Sequence, residues 1–169
     1  AALYYLARMM EGGEDPVFIA RRLIISSSED IGLANPNALL LANAAFDAVS
    51  KIGWPEARIP LAEATTYLAL SPKSNSAYMG INSAVEAVKR TGNLPVPMHI
   101  RNAPTNLMAE LGYSDGYKYP HDYPGNYVAQ EYLPEQLKDA QFYVPQSSSA
   151  TEARLAATWR ERTKGNDND

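Results

Sequence analysis

The chain has 169 residues, which suits one ordinary domain able to bury about two-thirds of its unfolded surface. Apolar residues make up 46% of it, enough for a packed core, while a formal charge of −4 and a pI near 5.2 lack the basic excess of a stand-alone nucleic-acid binder. With no cysteine, disulfide scaffolds, thiolate metal sites and cysteine nucleophiles are excluded together.

No apolar run approaches the roughly 18 residues that span a bilayer, and no cleavable leader is visible. The expectation is a cytoplasmic protein with no membrane partner. Alanine, leucine and charged helix formers dominate the first two-thirds, so the predicted fold class is all-α: a helical array or bundle of five to seven helices.

The opening "AALYYLARMMEGG" reads as mid-helix from its first position, without a cap or an initiator methionine, the pattern expected of an excised piece with an upstream domain missing. Leu3, Leu6, Ala7 and Met10 are at helical spacing, and Gly12-Gly13 stops the run. Asp15 is the predicted N-cap of a second helix with Pro16 at its first position. Val17, Ala20 and Ile24, flanked by Phe18 and Ile25, form its apolar face, with Arg21 and Arg22 opposite. The same device returns at "ANPNALLLANAAFDAVSKIG", where Asn35 is predicted to cap, Pro36 to start and Gly53 to stop a central helix. Its predicted stripe is Leu39, Ala42, Phe46 and Val49, widened by Ala38, Leu41, Ala44, Ala45 and Ala48.

A fourth helix is predicted from Trp54-Pro55, or from Pro60, to Ser71-Pro72. A fifth covers about 74–90, capped by Ser71 or Ser74, with Lys89 and Arg90 in its last turn and Gly92 as its stop. Lys73 would then stand near a positive helix N-terminus, a mild conflict that calls for a partner.

After Gly92 seven prolines punctuate an irregular Pro/Tyr-rich segment, 93–145. A short helix over 104–111, a turn within "EYLPEQLKDAQFYVP" and an extended piece at 141–144 are expected there. Residues 151–162 read as a helix with Leu155 and Trp159 at i, i+4, followed by a frayed tail, "TKGNDND". The predicted organisation is thus a helical domain 1–145 that includes the wrapping segment 93–145, then a helix and tail over 146–169.

The chemistry-bearing residues concentrate in 95–127, which holds His99, Arg101, Asn102, Pro104, Thr105, His121 and Asp122. There is no G-x-x-x-x-G-K-[ST] and no G-x-G-x-x-G, so nothing here cradles a nucleotide phosphate in the P-loop manner. Two histidines 22 residues apart plus Asp122 lack a third ligand at helical spacing, so no metal is assigned. A hydrolase relay would need Thr105 or Ser114 beside His99 or His121 and a carboxylate such as Asp122, with no nucleophile elbow to frame it. No catalytic, cofactor or metal residue is therefore predicted. The tyrosines at 113, 117, 119, 123, 127, 132 and 143 suggest either a base-stacking platform or, as the preferred reading, rings buried to seal the segment onto helices. Hydrogen bonds from Arg101, Asn102 and Asp122 are expected to hold the segment.

Four stretches, "AALYYLARMMEGGEDPVFIARRLIISSSEDIGLANP", "YLALSPKSNSAY", "VPMHIRNAPTNLMAELGY" and "YKYPHDY", together resemble the C-terminal half of the replication-associated recombination protein A family, also called MgsA. That family comprises clamp-loader-related AAA+ ATPases, with the Werner helicase-interacting protein as its eukaryotic relative. Lys73, Asn75, His99, Arg101, Asn102, Pro104, Thr105, His121 and Asp122 carry the resemblance, which runs to about residue 145.

The resemblance implies a collar-like fold, a homotetramer, and a parent, nucleoid-associated in a bacterium, that binds ATP and Mg2+ upstream, binds DNA and meets replication-fork proteins during replication, recombination and repair. No cofactor is implied for these residues themselves. On that basis the expected function is oligomerisation, with helices 36–52 and 74–90 supplying the interface. Two other readings stay open: a nucleic-acid-binding module using Arg21, Arg22, Lys89 and Arg90, and a small hydrolase built on the His121/Asp122 loop.

Overall fold

The structure, a computed structural model, describes residues 1–164. Seven α-helices carry the regular structure: α1 (Ala2–Glu11), α2 (Pro16–Ser26), α3 (Asn37–Ile52), α4 (Arg58–Leu70), α5 (Ser76–Thr91), α6 (Asn106–Glu110) and α7 (Ala150–Lys164). No strand occurs among the described residues, so the all-α expectation holds. The chain divides into two compact units. The first joins Ala1–Asn82 to Tyr143–Arg154; the second joins Ser83–Phe142 to the chain from Leu155 onward.

In the first unit the local signals act largely as their chemistry dictates. The Asp15 carboxylate accepts from the N–H groups of Val17 (3.2 Å) and Phe18 (3.1 Å), satisfying two of the orphan donors of α2. Gly53, at φ 64, ends α3 in a conformation that side chains resist. The start of α3 departs from expectation. The Asn35 side chain does not cap; its amide donates instead to Tyr67 Oη (3.0 Å) and Ser71 Oγ (3.1 Å) on and after α4. Pro60 falls inside the first turn of α4, which starts at Arg58 after a turn containing the cis Trp54-Pro55 bond.

α2 packs on α3 and α4, α3 on α4, and α1 on α4. Leu6, Ile19, Ala20, Val49, Ala57 and Leu61 form one buried cluster, and Ile31, Ala38 and Leu68 a second, with Leu23 packing against both. The buried stripe of α3 is Ala38-Ala42-Ala45-Val49, all four on the predicted face, with Phe46 packed beside it and Leu39 left out. Leu39 stays 43% exposed. Phe18 and Ile25, assigned to the buried face of α2, are likewise exposed, and Ile19 is buried instead.

In the second unit, regular structure is sparse. α6 is shorter than expected, starting after Thr105 and ending at Glu110. Residues 135–137 form the expected single turn of helix, and 141–144 carries neither helix nor strand. Residues 163 and 164 continue α7; the remainder of the predicted frayed tail, 165–169, lies outside the described residues. The predicted pair Leu155 and Trp159 is exposed, and Ala156 is the buried residue between them.

Candidate interaction surfaces and a buried carboxylate

The "SPKSN" connection between α4 and α5 is the best-organised polar node of the first unit. The Lys73 ammonium turns back and donates to the carbonyls of Leu68 (2.9 Å), Ala69 (3.5 Å) and Ser71. It thereby covers the negative C-terminal end of α4, and the conflict foreseen for Lys73 disappears: it serves the preceding helix and not the following one. Asn75 accepts from Gln146 Nε2 (2.6 Å), and the Lys73 carbonyl accepts from Ser148 Oγ (2.5 Å). Close approach is built in upstream as well. Gly32 has φ 48, and a Cβ there would meet the Ser74 carbonyl at 3.0 Å, while Ser74 N–H donates to the Asp30 carbonyl at 2.9 Å.

Beneath this node lies Glu152, 0% exposed, on the first turn of α7. Its Oε1 accepts from Tyr143 Oη (3.0 Å) and from Gln146 N–H (3.2 Å). Oε2 is also buried and has no partner at hydrogen-bonding distance, yet the Ser74 and Ser76 hydroxyls lie close enough to favour its charge. Burial pushes this carboxyl up, but Ser74, Ser76, Gln146 N–H and Tyr143 together outweigh it and hold the group below its ordinary value. The Tyr143 phenol is raised, first by desolvation and then by the neighbouring Glu152 charge. A cavity of about 560 Å³ opens beside the node, lined by Leu23, Asp30, Leu68, Lys73, Asn75 and Gln146 among others.

In the second unit the chemistry-bearing residues mostly hold backbone. His99 Nε2 meets the Glu131 carbonyl at 2.7 Å. Arg101 Nε donates to the Val96 carbonyl at 2.6 Å, and its guanidinium sits 5.3 Å from the centre of the Tyr113 ring. Ser114 Oγ donates to the Arg101 carbonyl (2.6 Å), and Thr105 caps α6 by accepting from Met108 N–H (3.3 Å). Pro104 precedes that cap, exposed.

The expected bracing by Asn102 and Asp122 is not found: both side chains are exposed and without a hydrogen-bonding partner among the described residues. His121 stacks at 5.1 Å on Tyr119, and neither histidine touches a serine or threonine hydroxyl among the described residues, so the two are not brought into a relay. No group of three His, Asp or Glu side chains is arranged to hold a metal there either.

The preferred reading of the tyrosines needs correction. Tyr117, Tyr119, Tyr123 and Tyr132 are 38–52% exposed, so these rings do not seal the segment; Tyr127, packed edge-on against Trp159 at 5.7 Å, does act that way.

α5 presents a run of exposed apolar residues. It buries only a line of small residues, Ser76, Gly80 and Ala87, with Ala84 half-buried. Tyr78, Ile81, Val85 and Val88, at three- and four-residue steps, are 43–61% exposed on a neighbouring face.

Residues 1–163 match the family model described as MgsA AAA+ ATPase C terminal. The chain belongs to this family. Its relatives include the replication-associated recombination protein A of Haemophilus influenzae, 48% identical over 146 residues that cover 86% of this chain and 33% of that protein. The Bacillus subtilis protein of the same name is 45% identical, covering 92% of this chain and 37% of that protein. The Dictyostelium discoideum ATPase WRNIP1 is 41% identical, covering 85% and 16%. The chain therefore spans about a third or less of these relatives.

Within the MgsA domain the proposed DNA-contacting bases are exposed, with Arg21 and Arg22 on α2 in the first unit, and Lys89 and Arg90 on α5 in the second. Lys89 is ion-paired with Glu86 at 2.9 Å. Among the described residues no helix is long and apolar enough to cross a membrane.

The residue that sequence reasoning missed is Glu152. Its signal was present in Ser149-Ala150-Thr151-Glu152, a capping-box spacing. The Glu152 N–H does donate to Ser149 Oγ (3.2 Å), while its carboxylate reaches past the cap into the first unit's interior.

Proposed function

We propose that this MgsA domain is the self-association element of a AAA+ ATPase acting at replication forks. The nucleotide chemistry, with ATP and Mg2+, and the DNA contacts of that parent lie in sequence outside these residues. The reading is carried by the exposed stripe Tyr78-Ile81-Val85-Val88 on α5, joined by Met79 at 54% exposure. Its spacing is that of a helix seam, and the buried line beside it uses side chains too small to bring those large groups inside. Closed cyclic symmetry is the usual product of such self-complementary faces, and a tetramer is the assembly proposed.

On α3, Leu39 and Leu40 are 43% and 69% exposed, a second apolar contribution in the first unit. The names of the relatives, replication-associated recombination protein A and ATPase WRNIP1, support the wider setting.

Sedimentation of the 169-residue chain tests this directly. A tetramer at tens of micromolar is expected, converted to smaller species by Ile81→Glu, which places a charge in the seam. A wild-type monomer at those concentrations overturns the proposal.

A further inference from the structure

The second unit presents a group of exposed tyrosines outside α5. Tyr117, Tyr119, Tyr123 and Tyr132 are 44, 52, 38 and 51% exposed. Bonds from Gln130 bring Tyr132 to the stretch that carries Tyr117 and Tyr119. The Gln130 amide accepts from Lys118 N–H (3.3 Å) and donates to the Lys118 carbonyl (2.9 Å), imitating one rung of a β-ladder. The same Gln130 nitrogen donates to Tyr132 Oη at 2.8 Å, which brings Tyr132 beside the 117–119 strand of chain. The turns at 120–122 and 124–126 pack on one another, carrying the Tyr119–His121 stack and Tyr123. The rings are therefore positioned by the backbone, yet present themselves to water.

Charge decides what they would bind. Asp115, Asp122 and Glu131 interleave with the rings, exposed and without an ion pair among the described residues, while Lys118 is the one lysine or arginine within 113–132. Ring faces are negative at their centres, and carboxylates beside them deepen that potential. A phosphate backbone would be repelled. A guanidinium would be attracted twice, over a ring and to a carboxylate, and its flat shape suits both better than an ammonium does. The unit already contains this contact in miniature, with the Arg101 guanidinium over Tyr113.

We propose that the tyrosine face of residues 117–132 is a docking surface for an arginine-bearing basic segment of a partner protein, read by ring stacking on Tyr119 and Tyr132 and by pairing to Asp122 and Glu131. Charge complementarity commits it to that occupant, and single-stranded nucleic acid is the competing one.

The test uses the whole 169-residue chain and three fluorescent probes of equal length: an arginine-glycine peptide, a lysine-glycine peptide and an oligothymidylate. Anisotropy is read at two salt concentrations. The expected order is arginine peptide tightest, lysine peptide several-fold weaker, and oligothymidylate weakest. Tyr119→Ala with Tyr132→Ala should weaken the arginine peptide about tenfold, and Asp122→Asn several-fold. Tyr119→Phe with Tyr132→Phe, which keeps the rings, should retain binding, and Ile81→Glu should leave it unchanged.

Equal binding of both peptides by the wild type and the alanine pair would overturn the proposal. So would tyrosine-dependent binding of the oligothymidylate in preference to the arginine peptide, which would make the rings a base-stacking platform. Loss of arginine-peptide binding in the phenylalanine pair would overturn the stacking basis, leaving the hydroxyls as the recognised groups.

Discussion

Replacing Glu152 by glutamine preserves its volume and removes its charge, and so isolates what the buried carboxylate contributes. Every group aimed at it is a donor: Tyr143 Oη at 3.0 Å, Gln146 N–H at 3.2 Å, and the neighbouring Ser74 and Ser76 hydroxyls. A glutamine can keep its oxygen in the Oε1 position for Tyr143 and Gln146, yet both bonds and the serine dipoles lose the charge they are aimed at. A hydrogen bond to a charged group is worth about 1.5–3 kcal/mol net, and relief of the carboxylate's desolvation offsets part of two such bonds. The expected loss is about 2–3 kcal/mol, or roughly 4–12 °C in Tm for a domain of this size.

Trp54 lies in the first unit and Trp159 in the second, so a Trp159→Phe background makes fluorescence report the unit that contains Glu152. Because the folded carboxyl titrates below its ordinary 4.5, its contribution is complete above that value and disappears as pH falls through the lower folded value. Wild type and Glu152→Gln should therefore differ fully at pH 7 and converge in acid. Coincident urea transitions at pH 7, or a gap that persists unchanged to pH 3, would refute the reasoning.

Three further substitutions test other parts of the first unit. Gly32→Ala should cost about 1–3 kcal/mol in urea denaturation, since the residue has φ 48 and its new Cβ would press on the Ser74 carbonyl. Lys73→Met removes the ammonium that covers the end of α4, with a loss of about 1–2 kcal/mol and faster hydrogen exchange at the Leu70 and Ser71 amides. Leu61→Ala empties a fully buried position in the larger cluster and should cost about 2–5 kcal/mol, read from the same transition.

Helix existence was legible because the signals are local. Asp15-Pro16 and Gly53 act through neighbours within four residues, and those assignments hold. What sequence could not supply was which side of an alanine-rich helix faces inward. On α3 nearly every face carries apolar groups, so periodicity did not separate Ala38-Ala42-Ala45-Val49 from the predicted stripe through Leu39. The partners of Asn35 and Lys73 depended on where α4 ends relative to them, a tertiary fact without a periodic trace.

The second unit was less legible still. Its order rests on side chains such as Gln130 and His99 bonding to backbone 12 and 32 residues away, and no spacing rule encodes that. Tyrosine composition gave no measure of exposure, and exposure is what separates a sealing ring such as Tyr127 from a presented one such as Tyr119.

The first unit is discontinuous in the chain: Ala1–Asn82 is completed by Tyr143–Arg154. On a ribosome this imposes an order of events. At roughly 5–20 residues per second, α1 to α4 emerge several seconds before Tyr143, Gln146 and Glu152 exist. During that interval Ser74 and Ser76 have no carboxylate to face, and the α4–α5 connection lacks the bonds from Gln146 and Ser148. The helices can nucleate on Leu61 and Val49 during synthesis, but closure of the unit is a late event, gated by one acidic side chain near the end of the described chain.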